Sequence, residues 1–292
     1  MCPDLPDPSP DVVERLGGSL VQHGPYNDRI YLIELDPDDV PDIVDQLDEL
    51  RRENDYAKVF AKVPAPLAEP FQQAGYRREA MVPGFFNGED DGLFLARFHD
   101  DERRVDPRAD EARAVLRLAD DKHVASPEPL TAPGDFVLGE ADPEDAEAMA
   151  SVFREIFPSY PFPIHDPDFL RANMAEDVRY FVARRDGRVV ACSSAELDPA
   201  ARNAEMTDFA TLHEARGQGL ALHLLDLMER EIPENGIVTA YTIARALSPG
   251  MNITFARHGY AYGGTLVNNT NISGHIESMN VWYKPLERED AT

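Results

Sequence analysis

Six consecutive residues, Arg216-Gly217-Gln218-Gly219-Leu220-Ala221, combine a cation with two glycines. They sit between a stretch of strand character at 204–211 and an amphipathic run marked by Leu220, Leu224, Leu227 and Met228. A glycine-rich turn from strand to helix leaves backbone N–H groups free at the positive end of the helix, which is a site for a pyrophosphate. The glycines let the backbone approach phosphate oxygens closely, and Arg216 adds charge or stiffens the loop. Taken alone, the same residues also fit a tight turn with no ligand. The spacing is not that of a dinucleotide-binding Gly-x-Gly-x-x-Gly turn, and no Gly-Lys-[Ser/Thr] of a nucleoside-triphosphate loop is present.

The elements that must hold this turn are legible along the chain. Residues 1–10, with four prolines, read as a disordered tail. Strands are predicted at 29–35, 58–63, 77–86 and 92–98. A helix opens at Asp36 and Pro37, with Val40, Ile43, Val44, Leu47 and Leu50 as its apolar face. A short helix at 67–74 ends at Gly75, and 109–122 is helical. The clearest linker is 126–134, rich in Pro. These features predict an N-terminal α/β domain with its linker at 11–130 and a second domain at 131–292. The second domain starts with a strand at 136–140 and a helix opened by Asp142-Pro143. A Pro-rich loop at 158–165 and a short helix near 168–173 follow. Strands at 179–184 and 188–196 flank the hairpin signal Asp186-Gly187. Strands at 204–211 and 237–243, a helix at 251–258 closed by Gly259, and strands at 260–268 and 274–284 complete a mixed α/β sheet. Ala74-Gly-Tyr-Arg-Arg-Glu-Ala80 echoes His258-Gly-Tyr-Ala-Tyr-Gly-Gly264, each followed by two strands. The N-terminal domain therefore reads as a smaller, degenerate half of the second fold without the glycine-rich loop, there to shape the pocket or make a homodimer contact.

The net charge of −26 argues against nucleic acid as a partner, because phosphate binding needs a basic face. The acidity is spread over both halves, and only four lysines are present. A high-salt cytoplasm would explain such a surface. No apolar run is long enough to span a bilayer, and the N-terminus lacks the pattern of a signal peptide, so a cytoplasmic protein without a membrane partner is expected. Cys2 and Cys192 make no disulfide framework. His165, His213 and His258 lack metal-ligand spacing, and no metal is expected.

With strand, loop and helix in this order, the second domain resembles the GNAT acetyltransferases, whose acetyl-CoA loop reads Arg/Gln-x-x-Gly-x-Gly/Ala. Arg216, Gly219 and Ala221 fit that pattern, and Gly259-Tyr260 resembles the end of the family's last helix. A closer resemblance is to the β-lysine N6-acetyltransferases. It is carried by Tyr-Pro-Phe-Pro-Ile at 160–164, Asn-Ala-Glu-Met-Thr-Asp-Phe-Ala-Thr at 203–211 and Tyr-Thr-Ile-Ala-Arg-Ala at 241–246. Gly-Met-Asn-Ile-Thr-Phe-Ala at 250–256, Asn-Asn-Thr-Asn-Ile at 268–272 and Glu-Ser-Met-Asn-Val-Trp-Tyr-Lys at 277–284 add to it.

The resemblance implies acetyl transfer from acetyl-CoA to the 6-amine of β-lysine, giving a compatible solute. Other amines, or a non-catalytic acetyl-CoA sensor, are the alternatives. It implies that the backbone of Phe209, Ala210, Thr211 and Leu212 pairs with pantetheine, and that Gln218, Gly219, Leu220, Ala221 and Leu222 hold the pyrophosphate with Arg216 and Gly217 beside them. Ser248, Asn252 and Phe255 are also assigned to the cofactor. Phe255 stands where many relatives carry a Tyr that protonates the departing thiolate, so that acid is missing; Tyr241, Ser248 and Tyr262 are substitutes. A lysine-type amine has a pKa of about 10.4 and must lose a proton before it attacks. Glu205 is the first candidate base. Asp208 is the second, on the opposite face of the strand if side chains alternate. Tyr160, Phe162, Asn268, Asn269, Asn271 and Asn280 are assigned to the substrate. Glu277, the single carboxylate in 235–286, either binds the substrate ammonium, orients a pocket residue, or pairs internally with Arg245.

Overall fold

The computed structural model describes residues 11–286 apart from 129, 132, 159, 161 and 273. The expected tail at 1–10 lies outside them, as do parts of the linker and of the Pro-rich loop. The first half runs β1 (Val12–Leu16), β2 (Ser19–Gly24), β3 (Arg29–Glu34), α1 (Asp42–Asn54), β4 (Lys58–Pro64), α2 (Glu69–Gln73), β5 (Arg77–Phe86), β6 (Asp90–Phe98) and α3 (Ala109–Asp120). The second runs β7 (Phe136–Glu140), α4 (Ala146–Ile156), α5 (Pro167–Met174), β8 (Val178–Arg185), β9 (Arg188–Asp198), β10 (Asn203–Thr211) and α6 (Leu220–Glu231). It ends with β11 (Thr239–Arg245), α7 (Pro249–Arg257), β12 (Ala261–Ile272) and β13 (His275–Pro285).

The local chemistry explains most of these boundaries. Asp186 and Gly187 both take positive φ, 50° and 78°, as a two-residue hairpin turn requires. Asp142 and Asp145 close a reciprocal capping box ahead of α4. The structure adds one element and corrects one boundary. A β1–β2 hairpin precedes the first predicted strand, with Gly17-Gly18 between its two runs as the hairpin signal. Asp36 caps a short 3₁₀ turn at Pro37–Asp39, and α1 starts only at Asp42, after Pro41 interrupts the run.

All thirteen strands found among the described residues join in one sheet, ordered β1-β2-β3-β4-β6-β5-β12-β13-β11-β10-β9-β8-β7. The pairing pattern occurs twice. In the first half β2–β3 is antiparallel, β3–β4 parallel, and β4–β6 and β6–β5 antiparallel. In the second half β9–β10, β10–β11, β11–β13 and β13–β12 repeat that sequence of directions. The two edges meet where Gly264 of β12 pairs with Ala80 of β5. Gly264 has φ 145°, and a Cβ there would lie 2.2 Å from the Glu79 carbonyl oxygen, so the seam closes only around a glycine.

Ile43, Val44, Leu47 and Phe71 of α1 and α2 pack on one face of the first half. α4, α5, α6 and α7 cover the second half, and Ala119 of α3 belongs to that second core. A third, aromatic-rich cluster straddles the seam and includes Phe60, Phe85, Phe94, Tyr241, Leu266 and Val281.

Candidate active site

β10 and β11 run parallel but pair only at 203–205 with 239–241, and then part. A bulge between Thr207 and Ala210 bends β10 further, with Asp208 at φ 55°. The opened wedge is a cleft of about 650 Å³. Its walls come from β10 (Thr207, Asp208, Phe209, Thr211), the loop and start of α6 (Arg216, Gly217, Gly219, Leu220, Ala221), β11 (Thr242, Arg245) and α7 (Met251, Phe255). Tyr160 closes one side.

The loop at 216–219 is built as an anion cradle. Gly217 and Gly219 hold φ 79° and 71°, and Gly219 is the N-cap of α6. No atom lies within 4 Å of a Cβ added at Gly217, so the glycine is required by the backbone angle and not by crowding. In the first turn of α6 Leu222 donates to the Gly219 carbonyl at 3.0 Å, whereas the N–H groups of Leu220 and Ala221 precede the first intrahelical bond, at the cleft end that Arg216 also lines. Phe209, Thr211, Ser248 and Phe255, each expected at the cofactor, also line the cleft. Ala210 and Leu212 turn their side chains into the core, so only their backbone can serve there. Gln218 is exposed on the loop and does not line the cleft.

Beside the cleft lies a cluster of carboxylates. Glu205 is half-buried where β10 and β11 part; it accepts hydrogen bonds from the Tyr241 hydroxyl and the Ile243 backbone N–H. Burial is the largest influence on its pKa, which is raised. Asp208 accepts from the Tyr160 hydroxyl and, at 2.7 Å, from Ser194 Oγ. Its pKa is raised as well, by burial. The expectation that Asp208 sits on the face opposite Glu205 is corrected. The bulge resets the alternation, and the two carboxylates repel one another within one cluster.

The sequence reading missed three members of this cluster. Glu196 stands directly across from Glu205 in the β9–β10 pair. Loss of water and then repulsion by Glu205 and Asp208 push its pKa up to about 8, although part of the residue is exposed. Like charges facing each other across strands destabilise a sheet, so such a pair marks a site kept for chemistry. Lys62 of β4 and Tyr31 of β3 come from the first half of the chain. Lys62 Nζ donates to Tyr241 Oη at 3.4 Å and to the Tyr31 hydroxyl. Nothing local announces these three; Glu196 meets Glu205 through the β9–β10 pairing, and Lys62 and Tyr31 reach the cluster only because the halves share a sheet.

Tyr241 is 4% exposed and lies behind the cleft, between Phe85 and Glu205. Tyr262 bonds Thr265 away from it. Several residues assigned to substrate or cofactor lie outside the cleft. Asn252 is fully buried: it donates to the carbonyls of Arg245 and Ser248 and accepts from Asn280 Nδ2 and Trp282 Nε1. That leaves neither it nor Asn280 free for a ligand. Asn268 and Asn271 donate to backbone carbonyls of Arg103, Val105 and Tyr26, and the backbone carbonyl of Asn269 accepts from Arg29, while the side-chain oxygens of Asn269 and Asn271 are buried without a partner among the described residues. These asparagines fasten the two halves together. Phe162 is 42% exposed and does not line the cleft. Glu277 is buried and pairs through both oxygens with Arg245, at 2.9 and 2.7 Å, which orients Arg245 on the cleft wall.

A cleft between parting parallel strands, ending on a glycine-capped helix, fits a long anionic carrier, and the carboxylates at its side fit a cationic acceptor. Residues 146–260 match the acetyltransferase (GNAT) family. The β-lysine N(6)-acetyltransferase of Methanococcus maripaludis is 39% identical over 269 residues, covering 92% of this chain and 97% of that one. The β-lysine N(6)-acetyltransferase of Methanosarcina mazei is 29% identical over 78% of this chain and 91% of that one. The N-acetyltransferase YodP of Bacillus subtilis is 29% identical over 92% and 96%. The chain belongs to the GNAT acetyltransferases and, within them, to the group that holds these relatives. It is an acetyl-CoA-dependent N-acetyltransferase.

Proposed function

We propose that this enzyme acetylates the 6-amine of β-lysine. The observation that carries the reading is the cluster of Glu196, Glu205 and Asp208 at the side of the cleft, in a chain alike over nearly its whole length to a β-lysine N(6)-acetyltransferase. Three carboxylates with raised pKa values favour a cation, and β-lysine brings two ammonium groups.

The N–H groups of Leu220 and Ala221 at the start of α6, the positive-φ glycines and Arg216 suit the pyrophosphate of acetyl-CoA, and the parted edge of β10 at 209–212 suits its pantetheine. Acetyl-CoA supplies the thioester carbon that the amine attacks, so that a C–N bond replaces the C–S bond. Asp208, on the cleft wall, orients the incoming 6-ammonium. Glu205 takes its proton, directly or through one water. Phe255 packs edge-on against Phe209 and Tyr260 and gives no proton; the thiolate leaves without a dedicated acid. Tyr160 lines the cleft beside the cluster.

A continuous thiol-release assay with β-lysine, lysine and spermidine tests this. β-Lysine is expected to give the highest kcat/KM. A preference for spermidine would replace the substrate assignment, and tight acetyl-CoA binding with no thiol release from any amine would identify a sensor.

A further inference from the structure

We infer that Lys62, supplied by the N-terminal half of the chain, is the subsite for the carboxylate of the amino-acid substrate. The inference rests on the reading of the acceptor as β-lysine and assigns the other end of that molecule.

Lys62 is half-buried beside the carboxylate cluster. Among the described residues no carboxylate lies within ion-pair distance of its Nζ, whereas Lys58 and Lys284 pair with Glu79 and Glu229 at 2.8 and 2.6 Å. What surrounds Lys62 is aromatic. The ring centres of Tyr31, Tyr241 and Phe85 lie 5.4, 5.8 and 5.9 Å from Nζ. Aromatic faces hold an ammonium without neutralising it, so its charge stays available to an anion. Burial alone would favour the neutral amine, but Tyr31 and Glu205 outweigh it and keep Lys62 protonated. Two of its N–H donors are directed at the Tyr241 and Tyr31 hydroxyls, leaving a third.

The order of charges in the site gives the direction of the substrate. Lys62 acts on Glu205 and Glu196, and Asp208 acts on both from the other side, whereas Asp208 itself is set by burial, Tyr160 and Ser194. Asp208 lines the acetyl-CoA cleft and Lys62 does not. The series is therefore Lys62, then Glu205 and Glu196, then Asp208, then the cleft. β-Lysine has the complementary series: carboxylate, 3-ammonium, 6-amine. Laid along the site, its carboxylate meets Lys62, its 3-ammonium meets Glu196, and its 6-amine reaches Asp208 at the cleft. A polyamine would place a cation against Lys62 and be repelled. The N-terminal half thus sets specificity for an amino acid over a diamine.

The test uses the full-length enzyme and pairs each amino acid with the diamine left when its carboxylate is removed: β-lysine with pentane-1,4-diamine, and lysine with cadaverine. The unaltered enzyme should prefer the amino acid of each pair. Lys62→Met should shift the ratio of kcat/KM by about 10- to 100-fold toward the diamine, as loss of a charge-assisted contact implies, chiefly through KM. Lys62→Arg should restore part of the preference. If Lys62→Met slows both members of a pair by the same factor, Lys62 only props Tyr241 and Glu205, and the subsite is overturned. An unaltered enzyme that prefers the diamines also overturns it. Absence of β-lysine turnover with retained preference for lysine over cadaverine would instead remove the β-lysine assignment and keep the subsite.

Discussion

Glu196 and Glu205 face one another across β9 and β10, with Asp208 close by and no cation within ion-pair distance among the described residues. The arrangement costs stability. The pKa of Glu196 rises from 4.5 to about 8, so the folded protein binds a proton there more tightly than the unfolded chain. Its favourable effect is complete below the unfolded value and is lost as pH rises toward about 8. Glu196→Gln should therefore raise the melting temperature, with a gain near zero at low pH that grows up to about pH 8; scanning calorimetry across that range would expose a flat difference, which would refute the account. The same substitution should raise KM for β-lysine, since it removes a partner of the 3-ammonium. Glu205→Gln acts on another parameter. It should lower kcat by roughly 10²- to 10⁴-fold, most strongly near neutral pH, where a general base matters most. An unchanged kcat would move the base role to Asp208.

At the scale of elements, the parting of β10 from β11 makes the cleft, and one seam makes the site complete. That seam depends on Gly264. Its φ of 145° and the 2.2 Å approach of the Glu79 carbonyl leave no room for a Cβ between β5 and β12. Gly264→Ala should destabilise the fold by about 3 kcal/mol, read from urea unfolding, through strain and a displaced edge. It should also impair β-lysine binding more than acetyl-CoA binding, because the cradle at α6 lies wholly in the second half whereas Lys62 and Tyr31 do not. Equal loss of both would argue against that division. Buried polar ties reinforce the seam. Lys58, with no exposed surface, donates to Glu79 and to the Val267 carbonyl, both at 2.8 Å. A lysine this dry is held only by complete pairing, and its pKa falls to about 8 through burial.

For the molecule as a whole, the charge of −26 is the dominant property. Self-repulsion weakens a compact state, and salt screens it over about 10 Å at 0.1 M. Stability measured by circular dichroism should rise with KCl; full, unchanged stability in the absence of salt would remove high-salt adaptation as the reason for the acidic surface. No helix among the described residues is long and apolar enough to cross a membrane.

The loop at 216–221, the strand before it and the helix after it were legible in the sequence, because a glycine-rich turn and an amphipathic period are local features. Glu205 and Asp208 were legible as candidates for the same reason. Their relation was not. Strict alternation separates them, and a bulge that no residue type announces brings them together. That Asn252, Asn268 and Asn271 tie the fold together was not legible, because an amide that holds a fold and one that holds a ligand look alike in sequence; only their partners distinguish them. Glu196, Lys62 and Tyr31 had no signal at all. Lys62 and Glu205 are far apart in the chain and meet because two halves pair edge to edge at Gly264. Local periodicity and turn chemistry determined the elements and the cofactor loop, whereas long-range strand pairing decided which charges share the site.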